Sequence, residues 1–280
     1  MPNSLQKEQA QIQRFIALFL CFVWLFRAQQ GLLLFQLHQA PFISVQADNL
    51  FWLYHAAQIP HFVLKHQLFA FALDLAWLLI AFLSIFKLQN RKRTSLLCLL
   101  VLNYLIIYNS VSTQHEHILV GLLFFVPLLL IRDKTIFVLL FAGIRYYAIF
   151  TLFSAGLWKA YRGSLFTPNQ MSEILKHQHI DYLISYPDAY FSHFINYLIA
   201  QPNLANLFWY GAWFLELSFV IGFFTRRFDK VLGSLFILFF IIDYLLMHLC
   251  FVEFCIFALV FYPCKNSWEH YKNIERPVLE

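Results

Sequence analysis

Charge is scarce in this chain. Only 12% of its 280 residues are Asp, Glu, Lys or Arg, against about 25% in an ordinary water-soluble domain. A fold whose whole surface meets water is therefore excluded. Five cysteines are present, Cys21, Cys98, Cys250, Cys255 and Cys264, with no CxxC spacing, and four of them lie inside or at the end of apolar runs. That pattern excludes a disulfide framework and a structural zinc site. No repeat or low-complexity segment stands out. The polar opening "MPNSLQKEQAQIQR" lacks a compact signal-peptide pattern. The apolar run after it is too long for a signal core and has no small-residue cleavage site, so a retained first span is expected. The net charge of +5 is spread over short loops rather than one basic surface, which argues against nucleic acid as a partner.

What is abundant is apolar and aromatic. Hydrophobic residues make up 61%, aromatics 20% with 34 phenylalanines, and the mean hydropathy is +0.64. Such a chain needs the bilayer as its solvent, with aromatic side chains at the lipid surface and the headgroup belts. Spans of about 20 apolar residues are expected at Phe15–Phe35, Leu68–Phe86, Thr94–Ser112, Ile118–Ile131, Thr135–Trp158 and Leu204–Phe224. A final run from Val231 to Tyr262 is too long for one helix. Asp243, His248 and Glu253 interrupt it, and a turn or break is expected near His248. The fourth run is short and carries Pro127. The fold class expected is an all-α polytopic membrane protein of about eight transmembrane helices.

Basic residues orient these spans. Lys7 and Arg14 precede the first. Lys87 and Arg91–Arg93 lie between the second and third. Arg132 and Lys134 follow the fourth, Arg226, Arg227 and Lys230 the sixth, and Lys265 the last. With the N-terminus inside, all of these clusters fall on the cytoplasmic side. The longer connections 36–67 and 160–203 then lie outside. "MSEILKHQHIDYLISY" and "YFSHFINYLIA" read as short interfacial helices. Lys159, His115, Glu116 and His117 share that outer boundary.

Ionisable groups within spans are costly and mark packing or function. They are Arg27, Asp74, Arg145, Glu216 and Asp243. Arg145 lies near the middle of its span and Glu216 somewhat past the middle of its own, so an Arg145–Glu216 pair is expected, and an Arg27–Asp74 pair in the same way. Such pairs either fix helix packing or line a cavity for a substrate head group. "HQHID" offers His177, His179 and Asp181 as a weak metal candidate, with no metal expected overall. "HEH" at His115–His117 lacks the spacing of the zincin motif. Of the scattered histidines only His61 and His66 resemble a histidine box. Lys159 ends the stretch "LFSAGLWK" and has two readings. It is a snorkelling anchor at the water boundary, or a partly buried amine able to act as a base.

"RYYAIFTLFSAGLWK", from Arg145 through Ala155-Gly156 to Lys159, resembles a segment of the horizontally transferred transmembrane (HTTM) domain, the membrane part of vitamin K-dependent gamma-carboxylases. "SLFTPNQM", "HEHILVGLL" and "WFLELSFVIGFF" resemble further segments, with Phe166 at a tryptophan position and Glu216 at an aspartate position. The resemblance implies that Lys159 is the base toward a reduced, vitamin K-like quinone lipid, with His115 or His117 orienting the reacting groups. It also implies a protein partner supplying a substrate domain, because the soluble portion of the full carboxylases has no counterpart here. The alternative is a scaffold or accessory subunit that keeps the fold without the chemistry. The expected organisation is a cytoplasmic segment over 1–14, an HTTM-like domain over 15–263 and a cytoplasmic tail over 264–280. The expected location is a bacterial inner (cell) membrane with both termini cytoplasmic.

Overall fold

The computed structural model describes residues 2–38, 40, 49–86, 90–111, 119–247 and 252–262. Among these every regular element is helical. Five helices are long and apolar enough to cross a membrane: Leu5–Gln29, Gln67–Phe86, Lys134–Tyr161, Pro202–Phe224 and Asp229–Met247. Less than half of the apolar window in each is buried inside the protein. The remainder, including Leu18, Phe22, Leu79, Phe82, Phe150 and Phe214, is exposed. Faces that apolar are stable against lipid rather than water. The chain is an integral membrane protein.

Contacts divide it into two compact units. The first holds α1 (Pro2–Gln29), α2 (Asn49–Ala56), α3 (Ile59–Lys65), α4 (Gln67–Phe86), α5 (Arg91–Asn109) and α6 (Leu119–Phe125). A 3-10 turn, Val126–Leu130, follows α6 where Pro127 removes a backbone donor. The helix α1 begins well before the expected Phe15. Gln9 and Gln13 are buried, and their side-chain amides donate to the carbonyls of Ile131 (2.8 Å) and Leu128 (2.8 Å). Satisfied in this way, polar residues extend the helix instead of ending it. It stops at Gln29, short of Phe35, and Gly31 follows with φ 73°, a left-handed conformation that glycine adopts at no steric cost. The helix α5 opens on Arg91-Lys92-Arg93 and carries Asn103 and Asn109, so it is not among the five helices that are both long and apolar enough to cross a membrane. Its N-cap is Asn90, whose side chain accepts from the Arg93 N–H at 3.2 Å.

The second unit holds most of α7 (Lys134–Tyr161), with α8 (Gln170–Ser185), α9 (Tyr190–Ala200), α10 (Pro202–Ser218), α11 (Ile221–Phe224) and α12 (Asp229–Met247). The connection 160–203 carries two helices, α8 and α9, where two short helices are expected. Met171 and Leu175 of α8 cluster with Ile195 and Leu198 of α9, Ala205 of α10 and Leu246 of α12. The final apolar run is broken: α12 ends at Met247 and a separate 3-10 segment spans Val252–Phe261. His248 lies outside the described residues, as do His115, Glu116, His117 and the expected tail 264–280.

Two glycines make opposite predictions. A Cβ at Gly121 would sit 2.6 Å from the backbone oxygen of Glu253, whereas one at Gly143 would meet nothing within 4 Å. Gly121→Ala is expected to cost about 1–3 kcal/mol through forced displacement of backbone. Gly143→Ala, in mid-helix, is expected to gain roughly 0.5–1 kcal/mol. Unfolding midpoints in detergent check both signs.

Candidate functional site

The buried stripe of α7 runs Arg145, Ala148, Ile149, Leu152, Gly156, at the i, i+3, i+4, i+7 spacing of one helix face. Lys159 is the next position on that stripe. Its side chain is therefore turned toward α10 rather than toward the headgroups. Its Nζ donates to Glu216 Oε1 at 2.7 Å, with the lysine side chain 24% exposed and the glutamate 4%. The same ammonium lies 4.8 Å above the Trp209 ring, a cation–π contact.

Glu216 arrives on a stripe of its own. Trp209, Trp213 and Glu216 follow one another at i, i+4 and i+7 on α10. The Trp213 indole N–H donates to the Gly156 carbonyl at 2.9 Å. Gly156 admits this approach because it lacks a side chain: a Cβ there would meet Leu217 at 3.0 Å and Glu216 Cβ at 3.2 Å. Small residues at such a seam let two helices come close. Asp243 of α12, half-buried, is near enough to feel the charges of both Lys159 and Glu216. Glu216 Oε2 is buried and has no hydrogen-bond partner among the described residues. The result is one cation and two carboxylates beside two indoles, with one carboxylate oxygen left open. Such a set can hold a hydroxyl-bearing aromatic ligand and pass a proton.

Beyond Gly163 (φ 71°), the Ser164 hydroxyl donates to the Lys159 carbonyl at 2.9 Å. It thereby caps one of the free carbonyls that end α7.

The other intramembrane charges are paired, but not as expected. Arg145 is bound to Asp229, through Nε to Oδ2 at 2.9 Å and Nη2 to Oδ1 at 2.5 Å, and not to Glu216. Its Nη2 also donates to the Gly222 carbonyl at 2.9 Å. Arg27 is bound to Glu253 at 2.6 Å and to the Tyr108 hydroxyl at 2.9 Å, and not to Asp74. The buried Asp74 carboxylate instead accepts the Phe35 N–H at 3.0 Å. Outside the spans, burial and the neighbouring Arg145 guanidinium hold Arg226 below the ordinary arginine range. Depth along a helix does not choose between candidate partners; the lateral arrangement of helices does. The two partners that sequence reasoning misses are Asp229, hidden in the basic stretch "RRFDK", and Glu253. Tryptophans seven and three residues ahead of an intramembrane glutamate are the readable signal for Trp209 and Trp213.

The histidine candidates divide. His177 and Asp181 are exposed on α8, while His179 is buried with its Nε2 2.7 Å from the Leu246 carbonyl. Positions i and i+2 of a helix face nearly opposite ways, so the three cannot converge on one ion. Among the described residues no group of three His, Cys, Asp or Glu is placed to hold a metal.

Fold and site together define an all-helical integral membrane protein with a polar cluster inside its second unit. No protein-family model, no curated protein and no solved structure matches the chain.

Proposed function

We propose that the chain acts on a reduced, quinone-like lipid at the Lys159–Glu216 pair, as the HTTM resemblance implies. The observation that supports this most is the open Oε2 of Glu216, buried beside the Lys159 ammonium and the indoles of Trp209 and Trp213. A ligand hydroxyl can donate to that oxygen while its ring lies against an indole. A reduced quinone would supply an acidic hydroxyl, and dioxygen, as the HTTM resemblance implies, would take the two electrons released on its oxidation. Lys159 becomes a base once it has passed its own proton to Glu216 along their hydrogen bond. It then takes the ligand's proton, and Asp243 helps to balance the resulting charge. The orienting role that the HTTM resemblance gives to His115 or His117 falls on residues outside those described.

In the same reading α5 and the two short apolar stretches, Gly121–Leu130 and Val252–Phe261, also cross the membrane and bring the spans to eight. The N-terminus is then cytoplasmic in a bacterial inner membrane, by the distribution of Lys and Arg. Cysteine-accessibility labelling at Lys7 and Arg162 tests that orientation, and labelling of both from one side overturns it.

Quenching of tryptophan fluorescence by a short-chain reduced quinone tests the site. Losing a charge-assisted hydrogen bond weakens binding by roughly 10- to 100-fold, and Glu216→Gln is expected to show a loss of that size. Lys159→Met is expected to abolish quinol oxidation. Equal binding and turnover by wild type and both variants would refute the proposal. One observation favours a second reading: the Lys159 charge is already met by Glu216 and Trp209, as a packing anchor requires. For such a scaffold the two variants lower the unfolding midpoint, and quinol does not quench the wild type.

A further inference from the structure

A second polar concavity lies far along the sequence from Lys159, wholly within the first unit. The N-terminal part of α1, the end of α4, the start of α5 and the end of the Val126–Leu130 turn enclose a groove of about 1120 Å³. Arg14, Arg91, Lys92 and Arg132 line it, and no described Asp or Glu does. All four cations are exposed side chains. Glu8 lies on the opposite face of α1 by helical phase. Asp133 is turned to α7, where it accepts the Ile136 N–H at 2.9 Å. Gln9 and Gln13 also line it, their side chains held by the Ile131 and Leu128 carbonyls, together with the apolar Leu129, Ile131 and Phe86.

The start of α5 adds a second, independent mark. Acidic side chains normally occupy the first turn of a helix, where backbone N–H groups carry partial positive charge. The first turn of α5 has no acid and begins with three consecutive cations. Asn90 caps the Arg93 N–H through its side chain and the Thr94 N–H through its carbonyl. The N–H groups of Arg91 and Lys92 have no acceptor within the helix. Cations at the positive end of a helix repel it, and an anion seated among them reverses the sign of both interactions.

The surroundings indicate where that anion comes from. Phe86 both lines the groove and is 66% exposed. Below it on α4 come Phe82 and Leu83, both exposed. An acyl chain can follow this apolar face away from the cations.

We propose that this groove binds the phosphate of an anionic phospholipid headgroup, with the acyl chains lying along the exposed face of α4. Basic residues at a membrane surface attract anionic lipid by roughly fivefold in affinity each. Arg14 and Arg91 face the phosphate from two different helices.

The test is equilibrium binding of tail-labelled phosphatidylglycerol to the full chain in an uncharged detergent, against tail-labelled phosphatidylcholine. Phosphatidylglycerol is expected to bind at least about tenfold more tightly. The Arg14→Gln/Arg91→Gln variant is expected to lose roughly 25-fold of that affinity, and Arg227→Gln/Lys230→Gln to lose none. Lys92→Gln alone is expected to lose roughly fivefold, and it carries the test if the double variant does not fold. Excess inorganic phosphate is expected to compete poorly. Equal affinity for the two lipids, or full affinity in the groove variants, overturns the site. Inorganic phosphate binding as tightly as the lipid overturns the lipid as its source. None of these results depends on quinone binding at Lys159.

Discussion

Asp229→Ala is expected to be among the most destabilising single substitutions, at about 3–5 kcal/mol. The side chain of Arg145 is 1% exposed, and its guanidinium is gripped by both carboxylate oxygens of Asp229. Removing the carboxylate leaves a buried charge with backbone carbonyls as its main acceptors, and a dipole does not replace a full counter-charge. Asp229→Asn keeps the volume and one acceptor and is expected to cost less. Arg145→Met/Asp229→Leu removes both charges and is expected to recover most of the loss, since a buried pair replaced by apolar groups is often near neutral. Unfolding in detergent of the wild type, Arg145→Met, Asp229→Leu and the double variant forms a double-mutant cycle. A loss under about 1 kcal/mol for Asp229→Ala would mean that the pair does not hold α12 to α7.

The first unit carries a comparable expectation. Arg27 and Glu253 are 2% and 1% exposed, and Arg27 also lies 4.7 Å over the Tyr108 ring. Glu253→Leu strands the guanidinium and is expected to cost about 3–5 kcal/mol. Tyr108→Phe removes the hydrogen bond from Arg27 and keeps the ring, so it is expected to cost about 1 kcal/mol. The ratio between these two losses is the informative quantity. If Tyr108→Phe costs as much as Glu253→Leu, the hydroxyl and not the ion pair fixes Arg27.

Much of this is readable along the chain. Apolar runs locate the membrane class and the helices near Gln67–Phe86, Thr135–Trp158 and Leu204–Phe224 closely, because lipid imposes one length on every span. Interruptions at Pro127 and near His248 mark the two short apolar stretches. The buried charges Arg27, Arg145 and Glu216 are identifiable as such, because a charge inside an apolar run is too costly to face lipid and must turn inward. Their partners are not. Arg145 and Lys159 are 14 residues apart on one helix, roughly 21 Å at 1.5 Å per residue. Glu216 reaches the far one because α10 runs antiparallel to α7 and comes closest at Gly156. Hydropathy gives depth in the bilayer, but neither rotation about a helix axis nor the identity of a neighbour. The start of α1 is hidden for a related reason. Gln9 and Gln13 look like a solvated segment until the carbonyls that they satisfy are known.

Pinned at Arg145 near its middle and at Lys159 near its end, α7 behaves mechanically as a rod bolted at two points. A rod held once can swivel; held twice, it can neither slide nor roll against the segments that hold it. Whatever motion admits a ligand or releases it must therefore leave α7 and α10 as a fixed frame. The parts that can move are α8 and α9, which meet α10 and α12 through apolar contacts and two hydrogen bonds, from the Met171 N–H to Asn206 and between His179 and the Leu246 carbonyl, rather than through a described ion pair.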